Sequence, residues 1–119
     1  ELRDPRVLQF DLRRFAYTPL IEPTLALSFD FEGDFSMMGE ELISAMVTQS
    51  CRADGFIFWY DLFLDPEGRH VMSTSPHDAG THWMQGFAPC YQEQRQLEKG
   101  ELTQFICAFR RFLLWFSHI

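Results

Sequence analysis

The chain has 119 residues, enough for one hydrophobic core and short for most complete enzymes. Hydrophobic residues make up 46% and 13 are Phe, which excludes a disordered chain. Net charge is −7, and Lys99 is the one lysine beside nine arginines. That excludes a basic stripe able to displace counterions from nucleic-acid phosphates. An acidic surface suits a basic, Arg-rich protein partner, and it equally serves ordinary solubility. No apolar run approaches a membrane span, and the opening ELRDPR is no signal peptide. The chain begins at Glu1 without Met, so an excised piece of a longer protein is expected. Cys51, Cys90 and Cys107 are odd in number and form no C-x-x-C pair. They read as reduced, partly buried thiols of an intracellular protein, cytoplasmic or nuclear.

In chain order, residues 1–6 are charged, and 7–12 alternate as a first strand. Pro19 and Pro23 bracket a turn-rich connection. Leu25, Leu27, Phe29 and Phe31 alternate with Ala26, Ser28 and Asp30, the cleanest one-sided strand pattern, and Glu32-Gly33-Asp34 ends it. Residues 36–51 read two ways. Met38, Leu42, Ala45 and Met46 have helical spacing, with Glu40-Glu41 suited to a first turn. Alternatively, 42–50 is a strand that pairs with 55–64 across an Arg52-Ala53-Asp54 turn.

Residues 55–64 are almost all aromatic or aliphatic and predict a strand buried on both faces. Asp65-Pro66-Glu67-Gly68 has type I turn chemistry, 69–75 returns as the second strand, and Pro76 stops its pairing. The polar loop 77–80 then delivers Thr81, His82 and Trp83 to the mouth of a third extended segment. Residues 97–100 form a turn. Beyond it, Leu102, Phe105, Ile106, Phe109, Leu113 and Phe116 fit a helical stripe. The competing reading is two strands, 102–109 and 112–119, with Arg110-Arg111 at the bend.

Chemistry concentrates at Thr81-His82-Trp83. A histidine can pair with charged groups across a pocket, and a tryptophan face can stack on a planar, weakly hydrated guanidinium. The plain alternative, a solvated His beside a core Trp, is what residue types alone favour. His70, His77, His82 and Asp78 share the hairpin region and could suggest a cupin-like metal site. Spacings of seven and five put the histidines on different pieces, whereas strand-borne ligands need i and i+2 spacing. The metal reading is rejected. No G-x-S-x-G surrounds Ser73 or Ser75, nothing nearby depresses a cysteine pKa, and Asp61, Asp65 and Glu67 form no acid/base pair. The glycines never approach G-x-G-x-x-G; Gly33/Gly39 and Gly80/Gly86 are the nearest pairs.

The aromatic strand, Ser73-Thr74-Ser75-Pro76, the short loop and Thr81-His82-Trp83-Met84-Gln85 together resemble protein arginine methyltransferases. In that family this arrangement lies in the β-barrel domain that follows the methyl-donor domain, and the "THW loop" closes one side of the arginine pocket. Trp59-Tyr60-Asp61 and Leu114-Trp115-Phe116-Ser117 are most similar to the subgroup with two tandem modules. The resemblance implies a mainly β fold, an antiparallel β-barrel or sandwich-like domain with little helix, over residues 1–119. It favours a short helix or loop followed by a strand within 36–51, and two strands at the C-terminus. It implies Thr81, His82 and Trp83 as substrate-binding residues, with no catalytic, cofactor or metal residues in this chain. S-adenosylmethionine would serve the parent enzyme. Implied partners are the parent's donor-binding domain, Arg-rich protein substrates, and a homodimer or tandem-module mate, with no nucleic acid and no membrane. Glu40-Glu41 do not match the family's pair of arginine-gripping glutamates, and the dimerisation arm is not evident unless 11–23 is its remnant. The chain alone is therefore expected to be inactive. The alternative is a non-catalytic β-sandwich module that binds a protein or peptide.

Overall fold

The computed structural model describes residues 8–30, 38–77, 84–90, 94–110 and 113–118. Among them the fold is mainly β, with antiparallel pairings and one 3-10 turn, Leu12–Arg14. One sheet combines β1 (Leu8–Phe10), β4 (Gly55–Phe58) and β7 (Gln85–Pro89) in the order β1-β7-β4. A second combines β2 (Met38–Met46), β9 (Leu102–Arg110) and β10 (Leu113–His118) in the order β10-β9-β2. Two ribbons complete it: β3 (Cys51–Arg52) with β8 (Gln96–Leu97), and β5 (Asp61–Phe63) with β6 (Val71–Ser73). No helix among the described residues is long and apolar enough to cross a membrane.

The core lies where the two three-stranded sheets meet. Ile43, Phe105 and Cys107 are buried there, with Phe56, Leu114 and Phe116 packed against them. Phe56 of β4 stacks on Phe116 of β10, with ring centroids 5.0 Å apart and planes 15° apart, and meets Phe105 at 4.9 Å. These rings join one sheet to the other, and offset aromatic pairs add to the burial of their large apolar area. A smaller cluster of Val47, Ala53 and Leu97 closes the far end, covered by Leu20.

The strand reading of the C-terminus holds: β9 and β10 form a hairpin in which Leu113 faces Arg110 and His118 faces Phe105. Residues 36–51 need correction. From Met38 onward there is no helix, and β2 pairs with β9 over nine residues, not with 55–64. Met38, Leu42 and Met46 are four apart, which serves one helix face and one strand face equally well, and on β2 all three point outward, exposed. The 52–54 segment cannot be a tight turn, because Cys51 and Arg52 pair with β8 and the Ala53 N–H donates to the Arg95 carbonyl.

Two further strand expectations change. Between residues 22 and 30 no strand forms; neighbours Ala26 and Leu27 both pack on the Ile43 cluster, and Phe29 sets its ring edge-on to Phe109 at 5.0 Å. Adjacent residues facing one side break the period of two that a strand requires. Residues 55–64 split into β4 and β5, which belong to different sheets, and Tyr60, Phe63 and Leu64 are exposed, not buried. The Phe58 ring lies over Gly86, its partner on β7, and a Cβ at that position would collide with the ring.

The three cysteines are free, with Cys51 exposed and Cys107 buried. Burial pushes the Cys107 thiol from 9.0 up to about 11, and burial together with Asp54 raises Cys90. A raised thiol pKa adds stability below the unfolded value, and that increment is lost as pH rises through the folded one. Native alkylation is therefore expected to label Cys51 and spare Cys107 until the chain unfolds, and stability should decline between about pH 9 and pH 11. Phe105→Ala should lower the free energy of unfolding by about 3–5 kcal/mol, read from the denaturant midpoint, because it empties the junction of the two sheets.

Candidate functional site

The site is built from the β5–β6 hairpin and the start of β7. Asp61, Leu62 and Phe63 face Ser73, Met72 and Val71. The connecting turn is the one the sequence predicts: Gly68 N–H donates to the Asp65 carbonyl at 3.1 Å, and Gly68 has φ +70. That conformation suits a residue without Cβ. The Asp65 carboxylate accepts the His70 N–H at 2.9 Å and the Arg69 N–H at 3.3 Å, so it is a turn carboxylate.

Past β6 the polar residues interlock with the chain just before β5. The Ser73 hydroxyl donates to Asp61 Oδ1 at 2.5 Å and accepts the Ser75 N–H. Thr74 is 0% exposed; its hydroxyl accepts the Tyr60 N–H and donates to the Tyr60 carbonyl, each at 3.0 Å. The Ser75 hydroxyl accepts the His77 N–H at 3.0 Å, and the His77 ring lies edge-on to Trp59 at 6.1 Å. Trp59, Tyr60 and Asp61 thus hold His77, Thr74 and Ser73 respectively.

Gln85, the first residue of β7, closes this arrangement and is 1% exposed. Its Nε2 donates to the Thr74 carbonyl at 2.9 Å, and its Oε1 accepts the Leu12 N–H at 2.9 Å. A backbone carbonyl can only accept and a backbone N–H can only donate, so these partners fix which way the amide points. Leu12 opens the 3-10 turn capped by Asp11, whose carboxylate also meets Arg13 Nε at 2.9 Å and Arg14 Nε at 3.3 Å. Hydrogen bonding from the Arg13 side chain holds the Asp11 carboxyl below its ordinary value.

Thr81, His82 and Trp83 lie outside the described residues, as do Asp78 and Gly80. Both flanks of that segment are described: Thr74 to His77 on one side, Met84 and Gln85 on the other. His70 sits beside Asp65, with Nδ1 3.6 Å from the carboxylate, so it and His77 have separate surroundings. Among the described residues no three His, Cys, Asp or Glu side chains gather as metal ligands. Glu40 and Glu41 stand side by side on β2, both exposed, and point to opposite faces.

Among the described residues that carry the resemblance, Tyr60, Asp61, Ser73, Thr74, Ser75 and Gln85 are thus linked by hydrogen bonds. Residues 3–110 match the family described as the arginine methyltransferase oligomerization subdomain. The chain belongs to that family. It is 28% identical over 120 residues to protein arginine N-methyltransferase 7 of Caenorhabditis briggsae, covering 92% of this chain and 18% of that protein. It is 23% identical over 127 residues to protein arginine N-methyltransferase 7 of Drosophila melanogaster, covering 86% of this chain and again 18% of the relative. The chain therefore spans less than a fifth of the length of these arginine methyltransferases.

Sequence reasoning passed over Gln85 and Leu12 as site-forming residues. The available signal was a long amide directly ahead of the apolar run Gly86-Phe87-Ala88, where a strand start would otherwise carry an apolar side chain. Thr74→Val keeps the shape of the side chain but strips the Tyr60 N–H of its hydroxyl partner. It should cost about 1–3 kcal/mol of unfolding free energy, with Thr74→Ser recovering most of it; both are read from denaturant unfolding.

Proposed function

We propose that this chain is the β-barrel module of a protein arginine methyltransferase and that it orients the substrate arginine. The observation that carries the reading is the interlocked hairpin: the motif residues on both flanks of 78–83 are tied to one another through buried backbone and amide groups. Such an anchor suits a loop that must present side chains at a fixed place. In this reading Trp83 stacks on the guanidinium, His82 lines the pocket, and Thr81 shapes the loop through its hydroxyl.

In this reading the methyl donor of the parent, S-adenosylmethionine, is held by a domain other than this one. Gly55 and Gly86 lie beneath phenylalanine rings, and Gly68 and Gly100 occupy turns at φ +70 and +92. Among the described residues, none of these glycines opens a helix after a parallel strand, the arrangement that holds dinucleotide-like donors. The donor is assigned to a separate domain of the same parent, and the present chain is inactive alone. The outward face of β2 and β9 carries exposed Met38, Leu42, Met46 and Leu102. Such an uncovered apolar strip supports pairing with the donor-binding domain, a homodimer mate or a tandem module. The net charge of −7 suits Arg-rich protein substrates, and free thiols suit an intracellular location, cytoplasmic or nuclear.

In the full-length parent, His82→Ala or Trp83→Ala should reduce arginine methylation about tenfold or more, leaving S-adenosylmethionine affinity nearly unchanged. Equal loss of methylation and donor binding would contradict a role in presenting arginine. For the isolated chain, replacing Leu42 and Met46 together by Glu should lower self-association in sedimentation, because both side chains are exposed on one face.

A further inference from the structure

Three pieces of chain meet at the Gln85 amide: the turn at Leu12, 73 positions away; the carbonyl of Thr74, 11 positions away; and the first residue of β7. Its donor and acceptor ends are both engaged, and at 1% exposure water cannot replace either partner. Those partners are backbone groups: no substitution removes the Thr74 carbonyl, and only proline removes the Leu12 N–H. An apolar side chain of equal size at position 85 would therefore leave a buried N–H and a buried carbonyl unmet. Cavity filling alone does not explain an amide here.

The location matters as much as the bonding. β1 pairs with β7 up to Phe10 opposite Gln85, where the described ladder ends. Beyond that point the Gln85 side chain substitutes for the ladder and catches the Leu12 N–H as the chain turns away. The other end of the same amide holds the Thr74 carbonyl, where the hairpin leaves β6. The Leu12–Arg14 turn is itself braced from within, by its cap Asp11, whose carboxylate is met by both arginines of the turn. One buried amide is thus bonded to this turn at one end and to the exit of the hairpin at the other.

We propose that Gln85 is a positioning residue for the arginine substrate, linking the Asp11–Leu12 turn to the Thr74 carbonyl and so to the segment that carries His82 and Trp83. This rests on the substrate-facing reading of that segment. The N-terminal turn is then part of the substrate machinery and not a passive lead-in to the sheet.

The test uses the full-length parent and an Arg-rich peptide, with KM, kcat, S-adenosylmethionine affinity and melting temperature measured together. Gln85→Met removes both amide bonds. Leu12→Pro removes the backbone donor at the first helical position, where proline is tolerated, and Leu12→Ala removes only the side chain. Gln85→Met and Leu12→Pro should each raise KM for the peptide about fivefold to tenfold at unchanged donor affinity, and Leu12→Ala should raise it far less. If Gln85→Met does not fold, the proline–alanine comparison at position 12 decides. Lower melting temperature with KM unchanged, or parallel loss of peptide and donor binding, would overturn the proposal and leave Gln85 a structural residue. His82→Ala is the benchmark. If it raises KM and the other variants do not, only the coupling fails; if it does not raise KM, the substrate-facing reading fails and the coupling falls with it.

Discussion

The hydrogen bonds of the Gln85 amide are the constraint on which the candidate site depends. A fully buried amide is costly unless both its ends are met, and here they are met by the Leu12 N–H and the Thr74 carbonyl. That requirement fixes three things together: how β1 leaves the sheet, how β6 leaves the hairpin, and where β7 begins. The Thr74 hydroxyl extends the requirement to Tyr60, which is where the aromatic run bends from one sheet into the ribbon. Polar groups thus set the geometry around the 78–83 segment, and the apolar core supplies the frame that keeps water from them.

That frame is aromatic. Phe56, Phe105 and Phe116 bridge the two three-stranded sheets, and the Phe58 ring covers Gly86 directly beside Gln85. A side chain at Gly86 would displace that ring and, with it, the strand start that aims the amide. Core and site are therefore contiguous: Phe58, which covers the residue next to Gln85, also meets Phe116 at the junction of the sheets, with ring centroids 5.3 Å apart.

Much of this was legible in the residues. The Asp65–Gly68 turn has local chemistry that dictates its own conformation, and it forms as read. The mainly β character and the C-terminal pair of strands also follow from composition combined with the family resemblance. What local pattern could not supply was pairing partners. β2 joins β9 from Met46 opposite Leu102 to Met38 opposite Arg110, pairs 56 to 72 positions apart, and nothing in 42–50 distinguishes that partner from 55–64. Apolar spacing of four is shared by helix and strand, so Met38, Leu42 and Met46 looked helical. Alternation at 25–31 looked like a strand, yet at 22–30 the chain uses Ala26 and Leu27 as side-by-side cover for the core. Gln85 escaped because its role is defined by two backbone groups far away in sequence. The motif that contains it pointed to the right region for a reason visible only in three dimensions.

The most direct measurement is backbone amide hydrogen exchange at Leu12. It opens a three-residue turn followed by exposed Arg13 and Arg14, so its N–H would exchange rapidly if it bonded only to solvent. The account predicts that Leu12 is protected to a degree comparable with the central β9 amides, and that Gln85→Met abolishes this protection while β9 stays protected. Rapid exchange at Leu12 in the unaltered chain would contradict it.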